Sequence, residues 1–169
     1  MLAALALAGA RDVGRANGIL EVLEKTESTN TILKLDLLPT IRAQIEMSKG
    51  NPLRAIKELE VAASYELGTA PNSSLGPLYP AYLRGQAYLT LHNGAAAAAE
   101  FQKLIDRPGI VMTEATGSLA HLGLARAYAL QGDTPKARAA YQDFLALWKA
   151  ADADVPVLKQ AKSEYASLQ

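Results

Sequence analysis

Four short segments recur along the chain: RDVGRA (11–16), GNPLRA (50–55), HNGAAA (92–97) and GDTPKA (132–137). The alanines that close them, Ala16, Ala55, Ala97 and Ala137, lie 39, 42 and 40 residues apart. A period near 40 carrying two helical stretches constrains the fold more than any other feature. A unit of that size cannot bury its own apolar face and must stack on its neighbours.

The agreement extends beyond the turn. Four residues after each alanine stands a large apolar residue, Leu20, Leu59, Phe101 or Tyr141. Eight residues before each shared Asp or Asn stands a small one, Ala4, Ala43, Gly85 or Ala125, and three further on come Leu7, Glu46, Tyr88 and Tyr128. Antiparallel helices need small residues where backbones approach and bulky ones to fill the space beside them. Asp12, Asn51, Asn93 and Asp133 are placed to cap the second helix of each pair. Gly50 and Gly132 supply a left-handed stop to the first helix. Pro52 and Pro135 sit in the first turn of the second, where a missing N–H costs little.

Half of the 169 residues are hydrophobic but only 6% are aromatic. Much of the apolar count is alanine, which favours close-packed helices over sheets. The pattern predicts one all-α domain over 1–169, with helical pairs at about 2–25, 38–65, 79–106 and 117–149. Within them the helices run roughly 2–10, 12–25, 38–49, 52–65, 79–92, 94–106, 117–131 and 134–149, and 30–37 adds a turn before Pro39. A last helix, about 156–168, places Leu158, Ala161, Tyr165 and Leu168 on one face and Lys159, Lys162 and Glu164 elsewhere. It reads as a cap over the final pair. The links 66–77 and 106–117 are rich in turn residues and read as spacers.

Lysine plus arginine equals aspartate plus glutamate at 17 each. That balance gives no electrostatic case for nucleic acid or an anionic membrane surface. The absence of cysteine removes disulfides, thiolate zinc sites and a cysteine nucleophile. The opening MLAALALAGA lacks the basic flank of a signal peptide and is about half the roughly 20 residues needed to span a bilayer. The compartment stays open, with the cytoplasm preferred and a membrane-anchored parent allowed. His92 and His121 have no metal-ligand spacing. Asp143, Asp152 and Asp154 lack the glycine turn and closing glutamate of a calcium loop. TESTNT (26–31) reads as an ordinary linker. No nucleophile elbow occurs, so the expectation is a chain without catalysis, metal or cofactor.

LARAYALQGDTPKARAAY (124–141), RGQAYLTLHNGAAAAAEF (84–101) and IRAQIEMSKGNPLRAIKEL (41–59) resemble tetratricopeptide (TPR) repeats, with His92 where glycine is usual, Glu46 in place of tyrosine, and Arg42 and Arg84 in place of leucine. The family's repeat is about 34 residues, so the surplus lies in the links. The resemblance covers about residues 2–149 and implies a TPR-like α-solenoid of about four hairpins plus a C-terminal capping helix. LPTIRAQIEMSKGN, YPAYLRGQAYL and the segment from GSLAHLGLARAYAL onward look more specifically like the C-terminal TPR region of bacterial eukaryotic-type Ser/Thr protein kinases. Similar regions also follow winged-helix domains in bacterial regulators. The chain has no glycine-rich phosphate loop, HRD or DFG, so kinase activity would belong to a preceding part. The first pair looks cut short, and the expectation is a fragment of a longer protein with Met1 an added start.

What the resemblance implies for function is a non-catalytic module that binds a protein or peptide in a concave groove. Carrying the groove positions over gives Leu37, Thr40, Gln44 and Met47, then Tyr79, Tyr82, Gln86 and Leu89, then Leu119, Leu122, Arg126 and Ala129. The candidate contact residues are Thr40, Gln44, Tyr79, Tyr82, Gln86, Leu122 and Arg126. The family's Lys/Asn clamp for a C-terminal carboxylate is missing. The alternatives are a self-association scaffold, with the apolar first helix pairing with a second copy, and the sensor region of a winged-helix regulator.

Overall fold

A computed structural model of the chain describes residues 2–26, 30–67 and 78–168; the link 68–77 and residues 27–29 of TESTNT lie outside them. The described residues are helical, with no strand among them. Ten α-helices follow in order: α1 (Leu2–Gly9), α2 (Val13–Thr26), α3 (Leu38–Ser48), α4 (Pro52–Leu59), α5 (Tyr79–Thr90), α6 (Gly94–Ile105), α7 (Pro108–Val111), α8 (Ala115–Leu130), α9 (Thr134–Leu147) and α10 (Pro156–Ala166). Each of the four segments that the repeat marks contains two of these helices, with bounds that differ in places. The short α7 inside the link 106–117 is an addition, and α8 begins two residues earlier than the pattern suggests.

One turn is built four times. The N–H of Asp12, Asn51, Asn93 and Asp133 donates to the carbonyl five residues back, on Leu7, Glu46, Tyr88 and Tyr128, at 2.8–3.0 Å. The residue just before each donor is left-handed: Arg11 (φ 63°), Gly50 (78°), His92 (56°) and Gly132 (73°). This is the six-to-one bond of a Schellman stop, which satisfies a carbonyl the helix leaves open. Arg11 and His92 adopt a conformation that favours glycine, because the register of the turn overrides the preference of the residue. Three of the four caps form as expected: Asp12 accepts from Arg15 N–H, Asn93 from Ala96 N–H and Asp133 from Lys136 N–H, at 3.1–3.2 Å. Asn51 does not cap. Its amide donates instead to the Glu46 carboxylate at 2.9 Å, the residue that stands where the pattern has tyrosine.

Two further departures from the expected map lie in the second pair, the first shaped by proline. Residues 31–48 are continuously helical, with a π-turn at Leu33–Leu37 closed by Leu38 N–H donating to Leu33 C=O. Pro39 lies inside this helix rather than near its start. It lacks the N–H that would bond the carbonyl four residues back and its ring crowds that carbonyl, so the turn widens. Helix α4 stops at Leu59, short of the expected 65, and a 3₁₀ turn follows at Ala62–Ser64. The Leu59 carbonyl there accepts from Arg84 Nη1 at 3.4 Å instead of serving a further helical turn.

The packing follows chain order. Helices α1, α3, α5 and α8 each touch the next of their set, and α2, α4 and α6 each touch the first helix of the following pair. The shared alanines Ala16, Ala55, Ala97 and Ala137 are fully buried, and so are Ala4, Ala43 and Ala125. Three apolar clusters result: one around α1–α3, a small one of Ala43, Ala55, Leu59 and Leu83, and a large one from α5 to α10. Phe101 is the wedge of the large cluster. A Cβ on Gly85 or Gly123 would come within 2.7 or 2.5 Å of its ring, so α5, α6 and α8 close on it only because both positions are glycine. Leu158 and Ala161 bury α10 against the same cluster.

Candidate functional site

Because α3 touches α5 and α5 touches α8, the three groove-candidate stripes lie on consecutive neighbours. Two of the candidates point inward. Thr40 is 1% exposed, and its hydroxyl donates to the Asp36 carbonyl at 2.6 Å, inside the helix next to the π-turn. Leu122, also 1% exposed, packs in the large cluster. Both side chains are packed in the interior of the fold. The physical reason is the same in each case: a stripe spaced at three and four is wide enough to turn its edge into the core.

Gln44, Tyr79, Tyr82, Gln86 and Arg126 are half-buried. The Tyr79 and Tyr82 rings lie 6.1 Å apart, and Tyr82 meets Phe101 edge-on at 5.9 Å. Tyr79 packs on the α1–α3 cluster and Tyr82 on the large one, so the pair spans two cores. Burial raises the Tyr79 phenol pKa. Burial and the neighbouring Tyr79 raise that of Tyr82, while Arg126 and a hydrogen bond from Gln86 pull it back. Both phenols are therefore neutral, each offering an apolar face and a hydroxyl.

Arg126 is already engaged. Its Nε lies 2.9 Å from Glu164 Oε2, and the same oxygen accepts from Tyr141 OH at 2.9 Å. Glu164 thus faces inward from α10, where the sequence pattern puts it off the packing face. Burial first, then Glu164, pushes the Tyr141 phenol well above its ordinary pKa. Arg126 Nη2 is buried with no hydrogen-bond partner among the described residues. A hollow of about 390 Å³ opens beside it, lined by Leu89, Arg126, Ala129, Leu130 and Tyr141.

Sequence reasoning passed over a second polar assembly. Arg84 is buried on α5, its Nη2 2.5 Å from Glu66 and 2.8 Å from Glu100, and Lys103 reaches the same two carboxylates at 3.4 and 2.9 Å. Burial opposes the Arg84 charge, but the hydrogen bonds to Glu100 and Glu66 outweigh it and raise its pKa. The signal in the sequence was the arginine at a position where the repeat has leucine. Elsewhere, His121 Nδ1 stands 3.8 Å from Asp143. Among the described residues no three His, Asp or Glu side chains form a metal-sized group, and no helix is long and apolar enough to cross a membrane.

Comparison of the chain with protein-family models, with curated proteins and with solved structures finds no match.

Proposed function

We propose that the chain is a TPR-like α-solenoid and serves as a non-catalytic protein-interaction module, binding a peptide or partner domain across α3, α5 and α8. The observation that carries this reading is the convergence of Tyr79, Tyr82, Gln86 and Arg126 on α5 and α8, with Arg126 also lining an apolar hollow. Rigid aromatic faces give contact area at low entropic cost, and the Gln86 amide offers both a donor and an acceptor to a peptide backbone. The fourfold turn and the chain-order packing support the solenoid. A carboxylate on the partner would compete with Glu164 for Arg126. That the module is the regulatory C-terminal region of a bacterial Ser/Thr protein kinase rests on the sequence resemblance alone.

The test is a peptide-array screen followed by fluorescence polarisation on the best binder. The double variant Tyr82→Ala, Gln86→Ala is expected to weaken binding at least tenfold with the helical circular dichroism intact. Unchanged affinity sinks the site assignment.

A further inference from the structure

The four turns share a geometry but not a chemistry. At the capping position and the one after it stand Asp12–Val13, Asn51–Pro52, Asn93–Gly94 and Asp133–Thr134. An asparagine followed by glycine is the pair most prone to lose its amide, because a backbone nitrogen with no side chain beside it reaches the asparagine Cγ most easily. The carboxylates of Asp12 and Asp133 are poor electrophiles, and Pro52 has no N–H to give up, so no imide closes at Asn51. Only the third turn carries the labile pair, and packing demands its glycine. A Cβ on Gly94 would lie 2.6 Å from the Ala127 carbonyl oxygen and 2.9 Å from Gln131 Cγ, where α6 meets α8. The folded turn nonetheless holds the reacting atoms apart. Ring closure needs the Gly94 nitrogen eclipsed with the Asn93 Cβ, and at the observed ψ of 77° it stands anti to it. Three bonds fix that torsion: Asn93 N–H to Tyr88 C=O at 2.9 Å, Ala97 N–H to Asn93 C=O at 3.0 Å and Ala96 N–H to Asn93 Oδ1 at 3.1 Å. His92 works against them, because it holds φ 56° where the second and fourth turns have Gly50 and Gly132.

We propose that Asn93–Gly94 is a self-modification site gated by the turn, inert while the turn is closed and reactive in each local opening. The Gly94 nitrogen gives up its proton and bonds to Asn93 Cγ. The Cγ–Nδ2 bond breaks, ammonia leaves with that proton, and a succinimide remains. Asn93 is exposed, so water then opens the ring. Breaking the Cγ–N bond gives aspartate. Breaking the bond between the Asn93 carbonyl carbon and that nitrogen gives isoaspartate, in which the main chain runs through Cβ and Cγ. The two products have different fates. Aspartate already caps this position in the first and fourth turns, where Asp12 and Asp133 accept from Arg15 and Lys136 N–H at 3.2 Å. Its charge also suits a helix N-terminus. Isoaspartate adds an atom to the main chain ahead of Gly94 and displaces the carbonyl that Ala97 bonds. Gly94 has no room to shift against Ala127. The turn therefore does not rebuild, and a passing opening becomes a permanent uncoupling of α5 from α6.

The test is incubation of the full 169-residue chain at pH 8 and 37 °C, native and in 6 M guanidinium, followed by tryptic mapping with mass spectrometry. Asn93 reports in the peptide 85–103; the other Asn–Gly pair, Asn17–Gly18 inside α2, reports separately in 16–25. The native chain is expected to lose the Asn93 amide at least tenfold more slowly than the denatured one. His92→Gly relieves the left-handed strain, and is expected to slow the native rate severalfold further while leaving the denatured rate unchanged. For the products, Gly18→Ala suppresses the α2 pair, since nothing lies within 4 Å of a Cβ there. In that background the species carrying isoaspartate at position 93, isolated after denaturation and refolding, is expected to melt below the unmodified chain. Asn93→Asp is expected to melt at or above it. A native rate equal to the denatured one overturns the gate, as does a native rate indifferent to His92→Gly. An isoaspartate species as stable as the unmodified chain overturns the permanent uncoupling.

Discussion

The second and third pairs contain the same charged triad, displaced by 42 residues. Arg42 pairs with Glu24 of the preceding pair, its Nε at 3.1 Å, and reaches Glu58 of its own second helix at 4.0 Å. Arg84 does the same with Glu66 and Glu100. In the fourth pair the corresponding residues are Leu124 and Ala140, both buried. The Arg42 side chain is 39% exposed and that of Arg84 is 6%. One geometry therefore has two energetic meanings. In water the triad gains little, because solvent screens it and the long side chains lose freedom. Buried, each charge has been stripped of water, and the set is tolerable only while all its members are present.

Breaking the buried copy is expected to have the largest effect. Arg84→Ala leaves Glu66 and Glu100 in the interior facing only Lys103, and should cost about 3–5 kcal/mol in urea unfolding. Replacing the set together, Arg84→Leu, Glu100→Ala and Glu66→Gln, moves the third pair toward the pattern of the fourth. It should recover most of that loss, measured in the same unfolding experiment.

The next effect is a pH dependence near the buried copy. Burial, and then the charge of Glu66, raise the Asp36 pKa from 3.8 to about 6. Asp36 Oδ1 has no hydrogen-bond partner among the described residues. The folded chain holds this proton up to about pH 6, whereas the unfolded chain releases it near 4. The carboxylate therefore costs stability at neutral pH, and that cost is relieved as pH falls from 7 through 6 toward 4. The move from 3.8 to about 6 corresponds to roughly 3 kcal/mol, and solvent screening of this partly exposed group leaves about 1 kcal/mol. Asp36→Asn should stabilise the chain by that amount at pH 7 and by nothing near pH 4, as read from thermal melts across the range. The smallest effect belongs to the exposed triad. Arg42→Ala should cost about 0.5 kcal/mol, fading in 1 M salt where screening is short-ranged. A cost matching that of Arg84→Ala would erase the distinction between the two copies.

Much of the fold is legible in the residues because its determinants are local and repeated. Ala16, Ala55, Ala97 and Ala137 mark the second helices, and the Asp or Asn before each marks the turn. The departures are the places where a distant group intervenes. Glu46 draws Asn51 away from its cap. Arg84 takes the carbonyl of Leu59 at the end of α4. The candidate site was less legible. Periodicity assigns a residue to a stripe, but it does not say whether the edge of the stripe faces water. Thr40 and Leu122 turned inward, whereas Tyr79, Tyr82 and Gln86 remained partly open.

The sequence by itself determined an all-helical chain, the four turns with their period near 40, and the helix pairs between them, since propensity, capping and periodicity act over a few residues. Only the tertiary structure decided that Arg42 lies in water and Arg84 does not, that Glu164 occupies Arg126, and that Arg11 and His92 bend like glycine. Burial and the pairing of charges depend on residues that are far apart in the chain, and their energies are set by the dielectric around them rather than by the residues themselves.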